Sequence, residues 1–298
     1  MLDIRTFIFC NMVTSVFLGA ALLFYKTHQK TYSGFDQWMA GSFLIAAGYL
    51  AMAVRGAAPL WASVLAANVC FAAVVLLRLD GSLRFIRGVT LPRAWYLVPA
   101  AMGMVNIYFT AVQDSGAMRN LLLSVVMSIA GCAIAWVCLA GAPARRHAVY
   151  RVTGGLHLVF VCVQMARAIL WIRNPEYELF QATMVNIVYF TAVTLVDVGV
   201  ALSFLMMNSQ RLETELIASE EHLATTLAEL RETMSEMKTL SGLLPICSYC
   251  RRIRTDDGSW QQLDLYVKQH TETDFSHGIC PECIKTHLPD IAREMGQP

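Results

Sequence analysis

Four cysteines near the C-terminal end of this 298-residue chain stand in two C-x-x-C pairs, Cys247/Cys250 and Cys280/Cys283. A C-x-x-C turn sets two thiolates on one side of a metal, and two such turns complete the tetrahedral shell of zinc. With all four places filled no catalytic water can bind, so the expected zinc is structural. His277 and His287 lie close enough in sequence to replace a cysteine in such a shell. Two other chemistries use the same residue types: reversible disulfide exchange within a pair and ligation of an iron–sulfur cluster. A disulfide scaffold fits poorly, because such scaffolds belong to short secreted chains. The other five cysteines, at 10, 70, 132, 138 and 162, are scattered among apolar residues, where a thiol packs as a small hydrophobe.

The intervening sequence predicts what positions these thiols. Asp256-Asp257-Gly258 is a turn signal and predicts a hairpin between Ile253 and Trp260. Leu263, Tyr266 and Val267 share one face of a predicted helix over residues 263–270. Pro281 suits a first helical turn after Cys280, and the helix is expected to run on through residues 284–291 despite Pro289. A knuckle, a hairpin and a ligand-bearing helix start make residues 245–298 a small α+β, treble-clef-like zinc module. Fewer than about sixty residues bury little core, which is the reason a metal is needed.

Upstream, Leu223, Leu227, Leu230, Met234 and Met237 alternate in steps of four and three, the seam of a coiled coil. Leu216 and Leu244 keep the frame, while Glu220 and Ser241 interrupt it. Residues 208–244 are therefore expected to form a cytoplasmic coiled-coil linker and a homodimer. His222 lies in this helix but is followed by Leu223-Ala224-Thr225, unlike a kinase phosphorylation helix, and no nucleotide-binding motif follows it.

Composition assigns residues 1–207 to a membrane. The chain is 56% hydrophobic and 15% charged, against about 25% charged in soluble domains. Residues 1–207 hold 14 Lys/Arg and 7 Asp/Glu, whereas residues 208–298 hold 9 and 15. Apolar runs near the length of about 20 residues that a bilayer requires fall at 4–25, 38–54, 60–79, 94–111, 118–140, 152–172 and 183–207. The expected fold is mainly α: a seven-helix transmembrane bundle, the linker and the zinc module. Positive charge favours cytoplasmic loops. One alternate set of loops carries nine Lys/Arg (Lys26, Lys30, Arg78, Arg84, Arg87, Arg93, Arg145, Arg146, Arg151) and the other four (Arg5, Arg55, Arg119, Arg173). That places the N-terminus outside and the C-terminus in the cytoplasm. Trp38, Trp61, Trp95, Trp136 and Trp171 lie near span ends, as interface anchors do. The first span is read as a retained helix, since its stronger positive charge follows the apolar run.

Polar groups inside spans are costly and invite a functional reading. Asn11, Asn68, Asn106, His157, Gln164, Arg167, Asn186 and Asp197 qualify, and His157, Asp197, Arg167, Asn186 and Asn68 are the candidates for an intramembrane signal site. Matching depths at 1.5 Å per residue makes a His157–Asp197 pair feasible and disfavours Arg167–Asp197. The plainer role of these groups is hydrogen bonding between helices.

Two resemblances follow from short sequence words. Leu2-Asp3-Ile4-Arg5-Thr6, Trp38, Val54-Arg55-Gly56, Ala67-Asn68 and Gly81-Ser82-Leu83-Arg84-Phe85 resemble the multi-helix membrane sensor module found ahead of bacterial diguanylate cyclases and some sensor kinases. Residues 240–247, Gly258-Ser259-Trp260 and residues 275–283 resemble a small C-terminal cysteine module of bacterial two-component signalling proteins. Together they imply a bacterial inner-membrane signal transducer that relays a stimulus to a cytosolic signalling protein. The expected non-protein contacts are membrane lipid and zinc. No Gly-Gly-Asp/Glu-Glu-Phe signature or kinase nucleotide motif is present, so the chain is not expected to be an enzyme. The alternative is a membrane-anchored thiol redox sensor or oxidoreductase. Nucleic acid is a poor partner for a tail with six more acidic than basic residues, despite Arg251, Arg252 and Arg254.

Overall fold

The computed structural model describes residues 4–141, 147–174, 180, 183–236, 244–271 and 273–294. It is mainly helical and divides into two compact units, Met1–Ile217 and Ala218–Pro298. The first unit contains α1 (Ile4–His28), α2 (Phe35–Ala53), α3 (Leu60–Arg87), a 3-10 turn (Arg93–Leu97), α4 (Val98–Ala111), α5 (Gly116–Ala140) and α6 (His147–Arg173). It also contains the start of α7, an uninterrupted helix over Met184–Glu236. α1, α3, α5, α6 and α7 are long and apolar enough to cross a membrane.

α2 has 19 residues and α4 has 14. At 1.5 Å per residue α4 rises about 21 Å, less than a hydrocarbon core of about 30 Å. The expected span at 94–111 is divided because the prolines reshape its start: Pro92 opens the 3-10 turn and Pro99 sits in the first turn of α4. Proline lacks the N–H that would continue an upstream helix and fits only a first turn.

The first unit is apolar outside and buries polar groups within its apolar core. Phe17, Phe24, Met104, Trp136 and Leu195 are exposed, whereas Asn11, Arg78, Asp80, Asn106, Gln164 and Asp197 are buried. That inversion suits a hydrocarbon surround, in which polar groups must find partners inside the bundle. Trp38 stacks flat on Phe204 of α7 at 4.0 Å between ring centroids and lies against Phe85 of α3. Two of the five expected interface tryptophans, Trp38 and Trp171, are therefore core residues, while Trp61, Trp95 and Trp136 are exposed. The Trp38 ring reaches α3 because Gly81 presents no side chain there; a Cβ at Gly81 would stand 2.5 Å from Trp38 Nε1. Gly34, which precedes α2, has φ 102°, a left-handed conformation that favours glycine.

Side chains tie α7 to three other helices. Thr194 Oγ1 donates to Asn11 Oδ1 of α1 at 2.6 Å, and Asn208 Nδ2 donates to Tyr25 Oη at 3.3 Å. Thr153 of α6 lies 3.5 Å from Met207 Sδ, and Arg211 donates to the Phe85 carbonyl at 3.0 Å. The buried Asp80 carboxylate pins the chain after α3 by accepting from the Leu91 N–H and from Arg84 Nε, both at 2.7 Å.

In the second unit the hairpin is present as β1 (Ile253–Arg254) and β2 (Trp260–Gln261), antiparallel with Ile253 opposite Gln261. Gly258 takes φ 85° in its turn. α8 covers Leu263–His270, as the apolar spacing predicts, and α9 covers Pro281–His287. The helix expected through 284–291 instead breaks at Leu288, and α10 begins afresh at Pro289 (Pro289–Glu294). Pro289 cannot donate back to the preceding turn, which ends α9. Leu223, Leu227, Leu230 and Met234 are exposed along the last part of α7. Met237 and Ser241 of the predicted seam lie outside the described residues.

Candidate functional sites

The first unit encloses a cavity of about 830 Å³ among α2, α3, α5, α6 and α7. It follows α3 from Leu60 to Arg78, a rise of about 27 Å. Arg55, Asp114 and Phe180 line one end, and all three belong to the links α2–α3, α4–α5 and α6–α7. The Arg55 guanidinium lies over the Phe180 ring at 4.9 Å. Arg119 donates to Asp114 at 2.9 Å at the same end. The opposite end of the unit gathers the α1–α2 link and the lower part of α7: Lys26 pairs with Asp36, and Lys30 and Tyr32 donate to Glu215 at 2.6 and 2.7 Å.

Toward that opposite end the cavity reaches Arg78 and Asp197. Arg78 Nη1 donates to Asp197 Oδ1 at 2.9 Å, with both side chains nearly buried at 8% and 9% exposure. Asp197 is thus paired with Arg78 and not with His157, the partner that depth alone made feasible. His157 Nδ1 instead lies 2.8 Å from the Thr153 carbonyl oxygen, one turn back on its own helix. The bond corrects the count of loop charges, because Arg78 is buried within α3 and is not a loop cation. Removing it leaves eight against four, so the charge bias keeps its sign.

Arg167 holds the middle of the cavity wall. Its Nη1 donates to Tyr189 Oη at 2.6 Å and its Nη2 to Asn120 Oδ1 at 3.1 Å. Its guanidinium carbon lies 4.4 Å from the centre of the Tyr189 ring. Tyr189 in turn donates to Gln164 Oε1 at 3.2 Å, so four side chains from α5, α6 and α7 brace one another. Asn68 Nδ2 donates to Asn106 Oδ1 at 2.5 Å, joining α3 to α4. Asn186 is buried, with its N–H donating to Thr183 Oγ1 at 3.3 Å. Of the five candidates, Asn68, Arg167 and Asp197 line this cavity, and His157 and Asn186 do not.

Sequence reasoning missed Arg55, Arg78, Arg119, Asn120 and Tyr189 as cavity residues. For Arg78 the signal was present: a single cation within the run Leu76-Leu77-Arg78-Leu79 needs an interior anion, and Asp197 is the matching acid within an apolar run.

In the second unit the cysteines form two shaped pairs. After Cys250 the chain turns through Arg251, the described non-glycine residue with positive φ (60°). The Arg251 N–H donates to the Cys247 carbonyl at 3.0 Å, and the Cys247 N–H to the Arg252 carbonyl at 2.9 Å. The turn aims backbone N–H groups at Cys247 Sγ; those of Cys250 and Tyr249 hold this thiol below its ordinary pKa. Cys280 caps α9, accepting from the Cys283 N–H at 3.5 Å. That bond lowers the Cys280 pKa, and the neighbouring Cys280 sulfur raises that of Cys283.

Among the described residues no three His, Cys, Asp or Glu side chains come together as a metal-holding group. His277 and His287 are exposed and join neither group. The donor chemistry fits zinc: four thiols, with N–H groups directed at one sulfur of each pair. Ile253 is the buried hydrophobic residue of this unit among those described, so little apolar burial stabilises it without a crosslink.

No protein-family model matches the chain, and neither a curated protein nor a solved structure is similar to it.

Proposed function

We propose that the chain is a signal transducer of the bacterial cytoplasmic membrane. In this reading seven spans place the N-terminus outside and the tail in the cytoplasm, and the polar cavity receives the stimulus from the outer side. The observation that carries the reading is the buried Arg78–Asp197 bond beside that cavity. It ties the cavity to α7, the same helix that runs on to Glu236. A stimulus that binds one arrangement of this bond more tightly than another shifts the population of α7 positions.

The exposed stripe Leu223, Leu227, Leu230 and Met234 suits a parallel homodimer, which would carry the shift as rotation or register. Cys247, Cys250, Cys280 and Cys283 would hold one structural zinc, and the treble-clef-like module so formed would present a surface to a cytosolic signalling protein. When bound, zinc supplies a crosslink between the two pairs and no reaction. The residues themselves do the remaining work: the Cys247 turn and the α9 cap present thiolates, and Ile253 anchors the hairpin.

In-cell cross-linking tests the reading with the full chain and a chain lacking residues 245–298. A cytosolic protein should cross-link to the first and be lost from the second. Equal capture by both overturns it.

A second reading rests on the lowered thiol pKa values. Cys247 and Cys280 each stand beside a second thiol, the arrangement of a redox sensor with an attacking and a resolving cysteine. Reversible disulfide formation with turnover, in chain that carries no zinc, would favour it over the structural role.

A further inference from the structure

The cavity wall carries four arginines, Arg55, Arg78, Arg119 and Arg167, against two aspartates, Asp114 and Asp197. Arg78 and Arg119 are paired with those aspartates. Arg55 and Arg167 are within ion-pair distance of no carboxylate among the described residues. Arg55 donates to Ser63 Oγ at 3.3 Å, and Arg167 is held by Tyr189 and Asn120, all neutral groups. Arg167 Nε is buried without a partner. A guanidinium inside a helix bundle is costly unless a counter-charge is supplied, and among the described residues Arg167 is oriented by neutral partners alone. The cavity wall also includes the apolar residues Leu123, Phe160, Phe190 and Val193. A volume of about 830 Å³ lies within the range of small-molecule sites, about 300–1,000 Å³.

We propose that this cavity binds an organic carboxylate with an apolar body, its acid group on Arg167 and its body against Leu123, Phe160 and Phe190. The inference rests on the sensing role proposed above and names the class of stimulus. Arg55, at the end of the cavity lined by the links, would attract the anion and hold it less directly.

Two routes lead to the same group. One is the end lined by Arg55, Asp114 and Phe180. The other is a crevice of about 350 Å³ between α6 and α7, on which Arg167 and Tyr189 also lie and whose remaining wall is largely apolar. A water-soluble acid suits the first route and a fatty acid dissolved in the bilayer the second.

The test is equilibrium binding to the full chain in lipid nanodiscs, with radiolabelled 2-naphthoate added to the water or radiolabelled oleate premixed in the lipid. At least one acid should bind saturably, and the tighter of the two identifies the route. Arg167→Gln should weaken it at least about tenfold, the scale of removing one partner of a desolvated charge pair. Arg167→Lys should recover part of that loss, and Arg55→Gln should weaken binding without abolishing it. Because Arg167→Gln also disturbs Tyr189 and Asn120, its melting transition and elution volume are compared with those of wild type; if it fails to fold, the Arg55 and Arg167→Lys variants decide. Equal binding of uncharged 2-naphthamide, displacement by inorganic phosphate at matched concentration, or no saturable binding of either acid overturns the proposal. Binding is read without any cytosolic partner, so its failure is distinct from failure of the relay, which the truncation experiment reads.

Discussion

Arg78 donates to Asp197 across 119 positions of sequence, at 2.9 Å and with both side chains nearly buried. The two charges lie on α3 and α7, which gives the bond two roles: it neutralises both buried groups and it ties the two helices together. Its value comes from completeness, since either partner alone would be a charge stranded in an apolar bundle.

Arg78→Leu or Asp197→Leu should each destabilise the purified protein by about 3–5 kcal/mol, and the double Leu variant should recover most of that loss. Thermal unfolding in detergent measures all three. A double variant as unstable as the sum of the singles would mean that the two residues do not act as a pair.

A second prediction concerns the approach of α2 to α3. Gly81→Ala places a methyl group against Trp38 Nε1 and should cost about 1–3 kcal/mol, the usual penalty of overpacking. Gly155→Ala, which meets nothing within 4 Å, is the matched control and should be neutral or mildly stabilising. Equal effects of the two substitutions would show that helix propensity, not the contact with Trp38, sets the result.

For the thiol pairs the expected metal content is one zinc per chain, lost with a chelator and absent from Cys250→Ser. If the full chain purified under reducing conditions contains no zinc while its thiols cycle to disulfides, the redox reading takes precedence.

Alkylation of metal-free chain should follow the local hydrogen bonds. The thiolate is the reactive form, so a lowered pKa raises the reactive fraction at any pH below the ordinary value of 9.0. Among the four tail thiols Cys247 and Cys280 should therefore react first as pH rises, with midpoints on the acid side of 9.0, and Cys283 last, on the alkaline side. Mass-mapped iodoacetamide labelling between about pH 6 and pH 10 reads the order; labelling of Cys283 ahead of Cys280 would contradict the α9 cap.

What the sequence made legible was governed by local physics. Apolar length marked all seven stretches that form helices, Asp256-Asp257-Gly258 marked the hairpin turn, and the spacing of Leu263, Tyr266 and Val267 marked α8. What escaped it depends on which helices are neighbours. Trp38 sits near a helix end, where aromatic residues favour the interface, yet the approach at Gly81 and the face of Phe204 draw it into the core. Arg78 adds to a count of loop cations until α7 supplies Asp197. His157 and Asp197 share a depth, but depth fixes only one coordinate, and His157 finds its partner in the Thr153 carbonyl on its own helix. The cavity residues Asn120 and Tyr189 carried no motif, because their role comes from facing Arg167 across two helix boundaries.

The long separation of Arg78 from Asp197 also sets an order of events during biogenesis. A ribosome adding about 5–20 residues per second needs about 6–24 s to synthesise the 119 positions between them. For that interval the Arg78 guanidinium waits without Asp197, at a cost held below the mid-membrane figure of about 2.5–3.5 kcal/mol by its place at the end of the apolar run. The Arg78–Asp197 bond therefore forms only after α7 has been made, so α7 completes a pairing that α3 begins.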